Sequence, residues 1–138
     1  MRTVAIGKQN YESVIRGNYF YVDKTAFIRE WWERGDDVTL ITRPRRFGKT
    51  LNMSMLECFF SLKYANRSDL FEWLSIWQDE KYRELQGIYP VISLTFANIK
   101  ETNFQTAREK ICQVLTSLYI QHSYLRDSDV MTNKDREY

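Results

Sequence analysis

The chain has 138 residues, with 20 Lys and Arg against 18 Asp and Glu and a formal net charge of +2. That length can bury one core, and the near-balanced charge excludes any argument from bulk basicity for nucleic acid. No metal-ligand spacing is present, no signal peptide, and no apolar run of membrane-spanning length, so a cytoplasmic protein with no membrane partner is expected. Cys58 and Cys112 both fall on apolar helical patterns and read as two reduced core thiols. Four Trp, nine Tyr and eight Phe suit core packing and a partner surface equally.

In chain order, Ile6-Gly7 and Gly17-Asn18 are turn signals, and Tyr11, Val14 and Ile15 between them predict a short helical turn. Residues 19–22 are aromatic and β-branched, which predicts a short strand or extended segment. Asp23 can cap the next helix, expected over 24–34, with Phe27, Ile28, Trp31 and Trp32 near one face and Gly35 as its stop. Asp23 or Tyr21 has a second reading, a contact to a nucleotide base. Capping is the simpler of the two.

Residues 38–42 form an apolar, β-branched run that reads as a buried strand. A turn stretch follows, with Pro44 blocking helix and Gly48 allowing close backbone approach. Next come Lys49-Thr50 and a helical pattern in which Leu51, Met55, Leu56, Phe59 and Phe60 are apolar, ending near Leu62. Strand, loop, Gly-Lys-Thr and helix is the layout of a phosphate-binding P-loop. Loop and helix N–H groups would cradle phosphate oxygens, Lys49 would meet the β/γ-phosphate charge, and the Thr50 hydroxyl would coordinate Mg²⁺. The general motif G-x-x-x-x-G-K-[ST] places its first Gly at Arg43, so this loop bends by another route.

The candidate nucleotide-binding set is therefore Arg43, Pro44, Arg45, Arg46, Phe47, Gly48, Lys49, Thr50 and Leu51. Within it, Lys49, Thr50 and Arg46 are the candidate catalytic residues and Thr50 the candidate metal ligand. Arg43, Arg45, Arg46 and Lys49 put four cations in seven residues. A solvated basic loop and a contact to nucleic-acid phosphates are the competing readings. Arg45 and Arg46 could neutralise a γ-phosphate or pair with an acid of the core or of a neighbouring chain; Phe47 would anchor the loop in apolar surroundings.

Residues 63–88 read as a helical insertion. Ser68 is a candidate cap, Leu70, Phe71, Leu74 and Trp77 keep helical spacing, and Trp73 lies on or beside that face. Residues 89–96 read as a second core strand, with Pro90 at its start. No acid follows it, so it is a neighbouring strand and not the Walker B strand that holds Mg²⁺. Asn103 caps a long helix expected over 104–122. Its apolar stripe of Phe104, Ala107, Ile111, Val114, Leu115, Leu118 and Tyr119 would cover a sheet face. Residues 126–138 form a polar tail. The expected fold is α/β, a partial P-loop NTPase with a parallel sheet flanked by helices, cut off before the Walker B strand.

Tyr21-Val22-Asp23-Lys24-Thr25 together with Ile41-Thr42-Arg43-Pro44-Arg45-Arg46-Phe47-Gly48-Lys49-Thr50 resembles the start of the predicted AAA-ATPase-like family. The resemblance runs from about Ile6 through Ile99, and Arg43 in place of Gly is that family's own form of the loop. It implies ATP and Mg as ligands, an ATPase activity in the whole protein, homo-oligomeric assembly as in AAA-type relatives, and a C-terminal PD-(D/E)XK nuclease-like region in full-length members. Such a region would bring nucleic acid as a partner. A complete P-loop ATPase core needs on the order of 200 residues, so the chain is expected to be the N-terminal portion of one such domain. Its parts would be lead-in helices (1–36), strand, P-loop and helix (37–62), helical insertion (63–88), strand and helix (89–125) and tail (126–138). The alternative function is a non-catalytic module that binds nucleic acid or a partner through the Arg/Lys-rich loop.

Overall fold

The computed structural model describes residues 1–42, 44, 48–129 and 132–134. Arg43, Arg45, Arg46 and Phe47, and the end of the polar tail, lie outside the described residues. The chain forms two compact units, Met1–Val91 and Ile92–Tyr138.

The first unit is organised by a 12-residue helix. Helix α1 spans Tyr11–Arg16, α2 Ala26–Arg34, α3 Lys49–Phe60 and α4 Glu80–Arg83. Three 3₁₀ turns, Leu62–Tyr64, Ser68–Leu70 and Ser75–Gln78, join α3 to α4. Along α3 the buried positions are Met55, Cys58, Phe59 and Phe60, a spacing of three and four that makes one face. Tyr11 and Ile28 from α1 and α2 meet that face, as do Leu70, Phe71, Ile76 and Tyr82 from the turns and α4. Phe59 sits edge-on to Phe60 at 4.9 Å and to Phe71 at 5.1 Å, and Tyr11 stacks on Phe71 at 5.1 Å. Trp31 and Trp32 close over Phe60 at 5.5 and 5.6 Å. Each fully buried aromatic contributes about 2–3 kcal/mol over leaving it exposed, and the offset and edge-on pairs add to that.

The polar atoms carried inward find partners. The Tyr11 hydroxyl donates to Leu70 O at 2.7 Å and the Tyr11 N–H to Ser54 Oγ at 2.9 Å. The end of α3 is tied to the segment after α4 by Gly87 N to Phe59 O (2.7 Å), Tyr89 N to Phe60 O (2.9 Å) and Leu62 N to Tyr89 O (2.8 Å). Gln86, itself buried, donates its amide to Tyr64 O at 2.8 Å.

The expected parallel sheet is absent: among the described residues there is no strand. Two isolated parallel bridges, Val4 with Phe20 and Ser61 with Tyr89, are the β pairing seen. A β-branched run favours extended backbone, but a strand exists only when another segment takes up its N–H and C=O groups. No described segment does so for 38–42, where Val38 is 86% and Leu40 82% exposed. Residues 89–96 divide between the two units at Val91. Tyr89 is bridged and Val91 packs on the core, whereas Ile92, Leu94 and Phe96 are exposed. The α/β class and its partial P-loop sheet are therefore replaced by a helical body.

Smaller corrections follow the same logic of packing over pattern. The 63–88 stretch forms 3₁₀ turns and one short helix. Ser68 donates its hydroxyl to Glu72 (2.9 Å) and makes no cap, and Trp73 is almost fully exposed.

The second unit holds α5, Phe104–Gln121, whose Asn103 carboxamide accepts from Gln105 N at 2.7 Å. The helix and its cap are as expected, but no residue of α5 is buried, so its apolar stripe covers no sheet. A groove of about 360 Å³ runs between 93–99 and α5, lined in part by Leu94, Ile99, Val114 and Leu118. Among the described residues, no helix is long and apolar enough to cross a membrane.

Cys58 is a buried core thiol as expected; Cys112, on α5, is exposed. Burial pushes the Cys58 thiol up to about 11, so it stays protonated and inert near neutrality. A thiol-reactive dye is thus expected to label one cysteine per native chain, at Cys112, and both in denaturant. Gly87 has φ +69°, and a Cβ there would stand 2.5 Å from Ala65 Cα. Gly87→Ala combines a left-handed backbone with a clash and is expected to cost about 3 kcal/mol in a denaturant melt. A loss under about 0.5 kcal/mol, the range of an uninvolved surface change, would contradict that packing.

Candidate functional site

Helix α3 starts at Lys49, directly after Gly48. Gly48 has φ 76° and ψ 19°, the left-handed region that favours glycine. This is what turns the chain from the loop into the helix: Asn52 N donates to Gly48 O at 2.9 Å, closing the first turn. Helices α1, α4 and α5 open with side-chain caps from Asn10, Asp79 and Asn103. On α3 no side chain caps the first turn and no acid lies in it. Its leading N–H groups and the positive end of its dipole are left to whatever anion approaches.

Lys49 and Thr50 occupy that first turn, Lys49 half-buried and Thr50 exposed. Among the described residues Lys49 makes no ion pair, and the Thr50 hydroxyl has no hydrogen-bond partner. Leu51 is half-buried and packs against the core, which sets the rotation of the turn. Pro44 is exposed. Gly48, Lys49, Thr50 and Leu51 are thus brought together on one helix end; Arg43, Arg45, Arg46 and Phe47, including the candidate catalytic Arg46, lie outside the described residues.

The Asp23-Lys24-Thr25 stretch brings one side chain, that of Lys24, near Gly48. Asp23 Oδ1 accepts from Thr25 N (2.9 Å) and Thr25 Oγ1 (2.6 Å), and Oδ2 accepts from Ser75 N (2.8 Å). Thr25, fully buried, accepts in turn from Ile76 N at 3.2 Å and lies 3.1 Å from Ser75 Oγ. Asp23 therefore holds its own segment and joins it to the 3₁₀ turn at Ser75. Helix α2 begins later than expected, at Ala26, and carries no side-chain cap bond. The Tyr21 hydroxyl donates to Met55 Sδ at 3.3 Å and its ring packs edge-on against Tyr11. Between the two latched residues, Lys24 is exposed, and its ammonium lies 3.9 Å from a Cβ built on Gly48. Neither Lys24 nor Ser75 carries a spacing signal toward the Gly-Lys-Thr turn, since each is distant from it in sequence.

Partial burial works against ionisation of Asp23, but the hydrogen bonds from Thr25 and Ser75 outweigh it and hold the carboxyl below its ordinary range. A depressed folded value adds stability above the unfolded carboxyl's pKa of about 3.9, and that increment is lost as pH falls below it through the folded value. Asp23→Asn turns an amide toward N–H donors. It is expected to cost about 2 kcal/mol at pH 7, the low end for charge-assisted bonds because the group is solvent-accessible. Denaturant melts should show the gap to wild type narrowing below pH 4. A gap independent of pH would remove the carboxylate from this role.

A family model described as Predicted AAA-ATPase matches residues 5–137. A curated relative, "Uncharacterized protein in vnfD 5'region" from Azotobacter chroococcum mcd 1, is 31% identical over 116 residues, which is 83% of this chain and 21% of the relative. The chain thus spans about a fifth of that relative's length. No solved structure matches it.

Proposed function

This chain is a member of the AAA-ATPase-like family, and on that premise we propose that its Gly48-Lys49-Thr50 turn binds the phosphates of Mg-ATP. The observation that carries the reading is the uncapped, acid-free start of α3 behind a left-handed glycine, with a lysine and a threonine in its first turn. Each group has a task that its chemistry suits. The leading N–H groups donate to phosphate oxygens. Lys49, without an acid beside it among the described residues, offers its ammonium to the β/γ oxygens.

Mg²⁺ takes oxygen ligands and keeps several of its waters. The exposed Thr50 hydroxyl, uncommitted among the described residues, fits as one such ligand, with nucleotide and water supplying the others. Bound there, the ion would neutralise charge on the β/γ oxygens. The proposal is nucleotide binding and not turnover: among the described residues no acid is identified that would hold the metal as a Walker B carboxylate does.

Isothermal titration of the chain with Mg-ATP tests the reading. Lys49→Ala is expected to weaken binding by about tenfold or more, the weight of a hydrogen bond to a charged group. Thr50→Val is expected to reduce the dependence of affinity on Mg²⁺. Unchanged affinity in Lys49→Ala would take Lys49 out of the site. Salt-sensitive capture of an oligonucleotide that Mg-ATP does not compete away would favour the basic-loop alternative.

A further inference from the structure

We propose that Lys24 is a second phosphate-binding cation of this site, reaching the Gly48-Lys49-Thr50 turn from a separate segment. The inference rests on the Mg-ATP reading of that turn. Its starting point is a juxtaposition: the Lys24 ammonium lies 3.9 Å from where a Cβ on Gly48 would stand. Gly48 opens α3, so that ammonium lies beside the end of the helix where N–H groups are exposed and no acid is present.

The backbone that carries Lys24 is fixed. Asp23 and Thr25 on either side are bonded to Ser75 and Ile76, and Lys24 O accepts from Phe27 N at 3.0 Å. A side chain launched from so constrained a point loses less freedom on binding than one on a loose loop. Among the described residues its ammonium makes no ion pair. Arg16, Arg67 and Lys81 are paired with Glu12, Asp69 or Glu33. Among the described residues Lys24 and Lys49 have no such partner, as most of the other described lysines and arginines have none.

A cation from a separate segment beside Gly48, and Lys49 in the first turn of an acid-free helix start, together favour an anion there. A polyphosphate meets that demand better than a monophosphate, because it carries more charge over a longer span. The ligand class this arrangement favours is a nucleoside di- or triphosphate over a monophosphate. Lys24 acts on the phosphate chain and not on the base.

The test compares Mg-ATP and AMP binding by isothermal titration in the wild-type chain and in Lys24→Met, Lys24→Arg and Lys49→Ala. Methionine keeps the apolar stem and removes the charge; thermal melts report whether each variant folds as wild type. Lys24→Met is expected to fold normally and to lose about tenfold in ATP affinity. Its loss for AMP should be smaller, so that the ATP-to-AMP preference shrinks. Lys24→Arg should restore most of the affinity. If Lys24→Met binds ATP as wild type does while Lys49→Ala does not, Lys24 has no place in the site and the Mg-ATP reading stands. An equal loss for ATP and AMP in Lys24→Met, unrelieved by arginine, would mark a structural residue and overturn the proposal. If neither Lys49→Ala nor Lys24→Met alters ATP binding, the reading of the turn falls and the role of Lys24 with it.

Discussion

Everything in the first unit depends on burial of one face of α3. Met55, Cys58 and Phe59 are at most 1% exposed, and the aromatic contacts from Tyr11, Phe71, Trp31 and Trp32 converge on Phe59, Phe60 and each other. That face lies in the C-terminal half of the helix. It holds the helix by its far end and leaves the first turn, Lys49 and Thr50, at the surface. The division has a physical basis: dispersion and apolar burial grow with the number of close neighbours, and the buried positions of α3 all lie at or beyond Met55.

The second constraint is the polar latch of Asp23, Thr25 and Ser75. It places a carboxylate, a fully buried hydroxyl and three backbone N–H groups in one connected set. Buried polar groups cost stability unless all find partners, and here they do. The latch joins the segment before α2 to the turns after α3, two stretches remote in sequence. One consequence is the position of Lys24 beside Gly48. The core and the latch thus act together: the core orients α3, and the latch brings a second cation to its start.

Much of this was legible before any coordinates. The spacing of Tyr11, Val14 and Ile15 announced α1; Phe27, Ile28, Trp31 and Trp32 announced the buried side of α2; and Asn103 marked the start of α5. The Gly-Lys-Thr turn was found at the start of a helix, as its spacing required. What failed were the strands. Residues 38–42 and 89–96 carry strand-like side chains, but pairing is a relation between segments that no single segment encodes. The stripe on α5 failed for the same reason: amphipathicity names a face and not its partner.

The sequence by itself determined the local units: where helices begin, which of their faces are apolar, and that a glycine, a lysine and a threonine stand together at one helix start. Periodicity and capping are interactions over a few residues, so they can be read along the chain. Only the tertiary structure decided that Asp23 spends its oxygens on Thr25 and Ser75, that Gly87 must lack a side chain because Ala65 lies against it, and that Lys24 meets Gly48. Apart from the local Asp23–Thr25 bonds, those contacts join residues far apart in sequence, and their geometry follows from packing the whole unit at once.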